Sequence, residues 1–163
     1  MSQIKPIHYT VGDATRPPTW RHVIIAHICN DIGHWGAGFV LALSERWPQP
    51  EMQYRQWHRD GMEGSSPFAL GEVQFVRVSE TTVVANMIGQ QGIRGHGKLP
   101  PIRYEAVDRA LGRVGHEALQ LGASVHMPRI GSGLAGGSWE RIEPLILSRL
   151  SHRGIAAVVY DLR

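Results

Sequence analysis

The sequence is short of cysteine and has no long apolar run. Cys29 is the single cysteine among 163 residues, so no disulfide can form within the chain and a reducing, cytosolic setting is expected. No apolar run approaches the ~20 residues that cross a bilayer, and the polar first stretch, MSQIKPIHYTVGD, lacks the apolar core of a signal peptide. The sequence therefore predicts a cytoplasmic protein without a membrane partner.

Runs of like charge and metal-binding motifs are also missing. The 17 Lys and Arg residues are interspersed with 14 Asp and Glu residues, so the charge pattern does not indicate a nucleic-acid-binding face. The nine histidines show no HExxH or Cys–His spacing, so we expect no metal and no cofactor. Hydrophobic residues make up 42% of the chain, which excludes a disordered chain and fits a single domain, residues 1–163.

Strand-like and helix-like segments alternate along the chain. Apolar and β-branched runs predict strands at residues 4–10, 23–29, 72–78, 81–88, 123–127 and 155–160. Apolar spacing predicts helices at 38–46, 51–59, 102–121 and from Trp139 onward, the last one delayed or kinked by Pro144. Residues 61–67, 89–101 and 128–137 are predicted loops. Because one hairpin interrupts the alternation, we expect an α/β fold with a mixed, mostly parallel sheet and helices on both faces.

Two glycine-rich turns each follow a predicted inner strand and lead into a helix. They are residues 33–38 (GHWGAG) and 131–137 (GSGLAGG). Glycine lets a backbone approach a ligand closely, and free N–H groups at a helix start attract anions. In open α/β sheets, ligands collect beyond the carboxyl ends of the strands. The first turn matches neither the Walker loop nor the dinucleotide fingerprint, so the pair predicts a cradle for two linked phosphates of a small molecule.

Four separated motifs give the sequence a family resemblance. They are VGD at residues 11–13, AHICN at 26–30 leading into GAG at 36–38, MPRIGSGL at 127–134, and VYDL at 159–162. In this order they resemble the macrodomain family over nearly the whole chain. They are most similar to the branch containing the terminal ADP-ribose glycohydrolases and their bacterial relatives. The resemblance implies a three-layer α/β/α fold with a cleft for ADP-ribose.

The resemblance also implies roles for individual residues. Asp13 would accept a hydrogen bond from the adenine amino group, flanked by Gly12 and Ala14, with Tyr160 near the adenine and Asn30 facing the distal ribose. The phosphate-binding loops would contain Gly36, Ala37, Gly38, Gly131, Ser132, Gly133, Leu134, Ala135 and Gly136. Trp35 has two interpretations: its ring stacks on the ligand, or it anchors the loop against the next helix.

Whether the protein cleaves its ligand is left open by two departures from the family pattern. The hydrolysing branch uses a lysine after the hairpin strand and an aspartate in the second glycine turn, where this chain has Gln90 and Ala135. Neither residue supplies an amine or a titratable carboxylate. Asn30, Asp31 and His34 are then the candidates for catalysis, as an ADP-ribosyl hydrolase or an ADP-ribose 1″-phosphate phosphatase.

Other residues with reactive side chains have two interpretations each. Cys29 is either a nucleophile or a small buried hydrophobe, and His27 with His126 form either a proton relay or two hydrogen-bonded core histidines. Lys98 either swings over the ligand or is solvated, and Arg129 is expected to form a structural ion pair. The expected partner is ADP-ribose or an ADP-ribosylated macromolecule. The alternative is a non-catalytic poly(ADP-ribose)- or nucleic-acid-binding module.

Overall fold

The computed structural model describes residues 4–18 and 21–162. The strands are β1 (His8–Val11), β2 (Val23–Asn30), β3 (Met62–Glu63), β4 (Ser66–Pro67), β5 (Val73–Arg77), β6 (Thr82–Gln90), β7 (Ser124–Pro128) and β8 (Ala157–Asp161). Six of them form one sheet in the order β1-β8-β7-β2-β6-β5. Every neighbouring pair in this sheet is parallel except the β5–β6 hairpin. The prediction of a mixed, mostly parallel sheet is confirmed.

Helices cover both faces of the sheet. They are α1 (Phe39–Arg46), α2 (Gln49–Asp60), α3 (Tyr104–Leu121) and α4 (Trp139–Arg149), with a 3₁₀ turn at Ser151–Arg153. Alternate residues of β2 enter different cores, because successive side chains of a strand point to opposite faces. Ile24 packs in the core shared with α3 and α4, whereas Ile25 packs with Leu43 of α1 and Tyr54 of α2. The α/β/α layering predicted from the sequence is therefore confirmed.

Several predicted boundaries differ from the structure, and three of the differences follow from specific contacts or pairings. β1 starts at His8 rather than residue 4, because Lys5 N–H donates to the carbonyl of Ser151 instead of joining the sheet (3.0 Å). The predicted loop at 61–67 contains the short β3–β4 hairpin, which the Trp57 indole ties to α2 by donating to the Ser66 carbonyl (3.0 Å). β6 continues to Gln90 through an irregularity in its register with β2.

The last helix is neither late nor interrupted. α4 begins at Trp139 and includes Pro144. Pro144 cannot donate a backbone hydrogen bond to the Glu140 carbonyl one turn earlier. Both residues are exposed, so water can satisfy that carbonyl. Among the described residues, none of the helices is both long and apolar enough to cross a membrane.

Candidate binding cleft

The two glycine-rich turns lie side by side because the strands before them are neighbours. β2 pairs in parallel with β7, so loop A (residues 31–38) and loop B (residues 129–137) leave the same edge of the sheet. Between them is a cleft of about 480 Å³. Loop A lines it with His34, Trp35, Gly36, Ala37 and Gly38; loop B does so with Arg129, Ile130, Gly131, Gly133, Leu134 and Ala135; the end of β6 and the following loop add Gln90 and Ile93.

Asn30, at the end of β2, determines the shape of loop A. Its side-chain oxygen accepts hydrogen bonds from the N–H groups of Ile32 (3.1 Å) and His34 (3.0 Å) and from the Tyr54 hydroxyl (2.9 Å). Its amide nitrogen donates to the His34 carbonyl (2.7 Å). The residue is only 6% exposed. Asn30 therefore holds the loop in place, and its amide group borders the cleft at the same time.

Helix α2 clamps loop A from outside. The Arg55 guanidinium donates to the carbonyls of Gly33 (3.3 Å) and Trp35 (3.2 Å). The imidazole of His58 covers Gly33, where an added Cβ would overlap it and where φ is +76°. Nothing in the sequence marks these α2 residues as part of the site. They lie about 20 positions after the loop, and no local motif signals such a contact.

Trp35 combines a packing role with a place in the cleft wall. It is 5% exposed, and its indole N–H donates to Ser44 Oγ of α1 (2.9 Å). Its ring lies against those of His27 and Tyr54, with centroids 5.4 Å away in each case. These contacts support the interpretation of Trp35 as the anchor of loop A.

Loop B closes on itself by backbone hydrogen bonds. The N–H of Gly137 donates to the Gly131 carbonyl (2.6 Å), and that of Gly136 donates to Gly133 (3.0 Å). Gly131 has φ +76°, and a Cβ there would lie 2.5 Å from Ile102 Cδ1. From the same loop, the 70% exposed side chain of Leu134 reaches to within 3.2 Å of where a Cβ of Gly38 would be. Leu134 thus connects the two loops.

Both loops retain unpaired backbone donors. Within residues 4–18 and 21–162, no hydrogen-bond acceptor faces the backbone N–H groups of Gly36, Ala37, Gly38, Gly133, Leu134 and Ala135. All six residues line the cleft. Loop A also leads directly into the N-terminus of α1, where backbone N–H groups carry a partial positive charge. The cleft is therefore suited to an extended anion that contacts both loops.

The residues predicted to hold the adenine lie at the same edge of the sheet, beside the cleft lining. Gly12, Asp13 and Ala14 follow β1, and Tyr160 is in β8. One oxygen of Asp13 accepts from Thr15 N–H (2.8 Å) and Oγ1 (2.7 Å), and the side chain remains 46% exposed. Burial raises the pKa of Tyr160, and its hydroxyl pairs with Nδ1 of His126 (2.8 Å).

Arg129, at the base of loop B, forms the ion pair expected from the sequence. Its Nε lies 2.5 Å from Asp161 Oδ1. The guanidinium also lies over the rings of Tyr9 and Trp139, 5.1 Å from each centroid. Arg129 thus joins loop B to β8, β1 and α4 at the cleft wall, and Asp161 compensates its charge.

Proteins of known structure resemble this chain in both sequence and fold. A scan against protein-family models gives no match. A macrodomain protein from Streptomyces coelicolor is 56% identical, with 96% of this chain and 99% of that chain covered and a TM-score of 0.84. The chain belongs to the macrodomain family. A Bacteroides thetaiotaomicron protein of unknown function is 54% identical over 96% of this chain and 98% of its own, with a TM-score of 0.92.

Curated relatives of this macrodomain are more distant. Chromodomain-helicase-DNA-binding protein 1-like from Danio rerio is 35% identical over 96% of this chain, but this chain spans only 16% of that protein. An ADP-ribose 1″-phosphate phosphatase from Candida albicans is 26% identical, covering 84% of this chain and 89% of its own. Thermosipho africanus DarTG in complex with ADP-ribose shares the fold at 16% identity, with a TM-score of 0.66 over 86% of this chain and 38% of its own.

Most groups that could titrate in the cleft of this macrodomain are buried or already paired. His27 pairs with Asn86 Oδ1 (2.5 Å), and burial lowers its pKa to about 4. Burial likewise raises the pKa of the Cys29 thiol, so it stays protonated at neutral pH. His126 bonds to Tyr160 and Ser124 instead of His27. These contacts support core roles for both histidines and for Cys29.

The three catalytic candidates differ in their access to the cleft. Asp31 accepts from Gly92 N–H (2.7 Å), which ties loop A to the loop after β6. Asn30 is engaged in loop A, as described above. His34 is exposed and lines the cleft, with Nε2 3.0 Å from where a Cβ of Gly36 would be. Among the described residues, His34 is the exposed acid–base group of the lining.

The two residues that the sequence resemblance places where the hydrolysing branch has its lysine and aspartate both lie at the cleft. Gln90 lines it and donates its side-chain amide to the Gly92 carbonyl (2.9 Å). Ala135 is 6% exposed and lines it from loop B. Lys98 is exposed and lies outside the lining. It therefore does not replace the missing lysine in this conformation.

Proposed function

We propose that this macrodomain binds ADP-ribose, free or attached to a macromolecule, with the pyrophosphate held between loops A and B. The observation that carries the proposal is the set of unpaired N–H groups on two adjacent loops around one cleft. Two related proteins support it: the fungal relative is an ADP-ribose 1″-phosphate phosphatase, and DarTG was solved with ADP-ribose.

The order of elements along the sheet edge supports one ligand orientation. Asp13 follows β1 and Tyr160 lies near the end of β8, whereas Gln90 ends β6 and Ile93 follows it, on the other side of β2. The adenine then lies toward Asp13 and Tyr160, and the distal ribose lies toward Gln90. In this orientation the second oxygen of Asp13, which lies 3.7 Å from Arg16 Nε and does not accept from Thr15, accepts a hydrogen bond from the adenine amino group.

Calorimetry with ADP-ribose and Asp13→Asn tests both the ligand and its orientation. Asparagine keeps an oxygen for Thr15 but loses the charge, so we expect affinity for ADP-ribose to fall about tenfold, about 1.4 kcal/mol. Asp60→Asn, at the exposed end of α2, is the matched control and should bind like the unchanged protein. Absence of both heat and a thermal shift at millimolar ADP-ribose would end the proposal. If Asp13→Asn bound ADP-ribose as tightly as the unchanged protein, only the proposed orientation of the ligand would be contradicted.

We propose binding without cleavage as the activity of the cleft, because Gln90 and Ala135 stand where the hydrolysing branch has its lysine and aspartate. Serine-, glutamate- and nucleobase-linked ADP-ribose and ADP-ribose 1″-phosphate should all remain intact after incubation with the protein. Chromatography of the products checks this. Release of ADP-ribose that is lost in His34→Asn, with binding retained, would instead make the protein a hydrolase that uses His34.

A further inference from the structure

A second cavity, which we call the arginine groove, lies on the α3–α4 face. It has a volume of about 710 Å³ and shares no lining residue with the cleft. Its charged and titratable lining residues are Arg109, Arg113, His116, Glu117, Arg149 and Arg153. The lining has four arginines and one glutamate, and Asp108 and Glu72 beside it pair with two of these arginines, so four arginines against three carboxylates leave a net charge of +1.

Two carboxylates outside the lining hold part of this arginine set in place. Asp108 receives two hydrogen bonds from Arg149, at 2.8 and 3.0 Å. Glu72 lies 3.3 Å from Nη2 of Arg113. A guanidinium has five N–H donors, so both arginines keep donors beyond these contacts. The pairs therefore orient the two side chains without using all of their hydrogen-bonding capacity.

The remaining two arginines are less engaged. Arg153 donates from Nη1 to the carbonyls of Gly112 (3.2 Å) and Arg149 (3.4 Å). The side chain of Arg109 is exposed and, among residues 4–18 and 21–162, makes neither a hydrogen bond nor an ion pair, although its guanidinium lies close to Gly71. Arg109 and Arg113 are one helical turn apart on α3, which puts their side chains on the same face. The groove thus presents several guanidinium groups whose N–H donors remain available, and those of Arg113 and Arg149 are held in place by their carboxylate partners.

We propose that the arginine groove binds the sugar–phosphate backbone of a nucleic acid without reading its sequence. Arginine forks match phosphate oxygens geometrically. The face of α3 extends about 10 Å from Arg109 to His116, and Arg149 and Arg153 lie beside it. A polymer with several phosphates can therefore contact more of these arginines than a single phosphate can. The residues of the lining with aromatic rings are His116 and the half-buried Phe75. Because these two rings offer little surface for base stacking, contacts to the phosphates are expected to dominate.

The test uses fluorescence anisotropy of two labelled DNA duplexes with unrelated sequences, across about 50 to 200 mM salt. Both duplexes should bind equally, and log affinity should fall linearly with log salt with a slope of about −2 to −4. Arg109→Gln with Arg113→Gln should weaken binding about tenfold and make the slope shallower by about 2. Arg59→Gln, an exposed arginine of α2, is the matched control and should change affinity less than about twofold.

The proposal is independent of ADP-ribose binding, and several results would overturn it. One such result is the absence of DNA binding at low salt. Another is an equal loss of DNA affinity in the groove variant and the control variant, and a third is displacement of DNA by saturating ADP-ribose. Tighter binding of poly(ADP-ribose) than of either duplex would assign the groove to that polymer instead. Because Arg109 holds no partner, Arg109→Gln alone should keep the thermal unfolding temperature, and it serves as the test if the double variant fails to fold.

Discussion

At the scale of single residues, the glycines of loop B do two different things. Gly131 has φ +76°, and a side chain there would meet Ile102, Ile142 and Ile28. At Gly133, nothing lies within 4 Å of an added Cβ, although the residue lines the cleft. The first glycine is required by the fold, whereas the second leaves open space beside the ligand.

Alanine substitutions should separate these two roles. Gly131→Ala combines an unfavourable φ with overpacking, so it should lower the free energy of unfolding by about 2–4 kcal/mol. Gly133→Ala should change it by less than about 0.5 kcal/mol. Urea denaturation measures both values. Similar losses in the two variants would show that the conformation of loop B differs from that described.

Asn30 has a structural role in loop A that its sequence motif does not reveal. The sequence resemblance suggested that it faces the ribose, and its position at the cleft is compatible with that prediction. The structure adds that its side chain makes hydrogen bonds to Ile32, His34 and Tyr54. A loss of ligand binding on substitution of Asn30 therefore needs a parallel stability measurement before it is assigned to direct contact.

At the scale of elements, a row of polar side chains crosses three strands beneath helix α2. His27 of β2 is opposite Asn86 of β6, which is opposite Gln74 of β5. Asn86 accepts from His27 Nε2 through Oδ1 (2.5 Å), and its amide nitrogen donates to Gln74 Oε1 (3.1 Å) and to the Pro50 carbonyl (3.2 Å). All three residues are at most 2% exposed. The row fixes the register of the strands, because a shift by one residue would leave buried polar groups unpaired.

The burial of this row makes stability depend on pH in a defined direction. Burial lowers the pKa of His27 from 6.5 to about 4, so between those values the unfolded chain binds a proton that the folded chain does not. The contribution of neutral His27 to the free energy of unfolding should be fully present above about pH 6.5. It should be lost on acidification toward pH 4, which lowers the free energy of unfolding by about 3 kcal/mol. The pKa of His126 is lowered to about 4 in the same way and adds a decline of the same sign.

Urea unfolding at about pH 7.5 and 4.5 checks this dependence. His27→Gln keeps a hydrogen-bonding side chain beside Asn86 but removes the titrating group. Its stability should therefore fall less between the two pH values than that of the unchanged protein. An identical decline in both proteins would mean that groups other than His27, such as His126 or carboxylates, cause the acid sensitivity.

At the scale of the whole molecule, much of the architecture could be predicted because its signals are local. The buried run of β2, the apolar spacing of α3 and the glycines after β2 and β7 each lie within one stretch of sequence. Strand order was less accessible, yet the rule that ligands collect at the carboxyl ends of strands placed both glycine turns at one edge. The structure agrees, since β2 and β7 are neighbours.

What could not be predicted is assembled from distant segments. Arg55 and His58 reach loop A from a helix about 20 residues away, with no motif to announce the contact. The arginine groove takes two of its arginines from α3 and two from α4 and the following turn. Along the sequence these arginines are separated and mixed with acidic residues, so the charge pattern indicated no basic face. Only the packing of α3 against α4 concentrates them.

The central claim is that loops A and B together hold one pyrophosphate, and backbone amide NMR during an ADP-ribose titration tests it most directly. Signals of Gly36 and Gly38 should shift together with those of Gly133 and Leu134, saturably and with a single dissociation constant. Adenosine, which lacks phosphates, should leave both sets nearly unchanged. Shifts confined to one loop, or ADP-ribose shifts that adenosine reproduces, would contradict the claim.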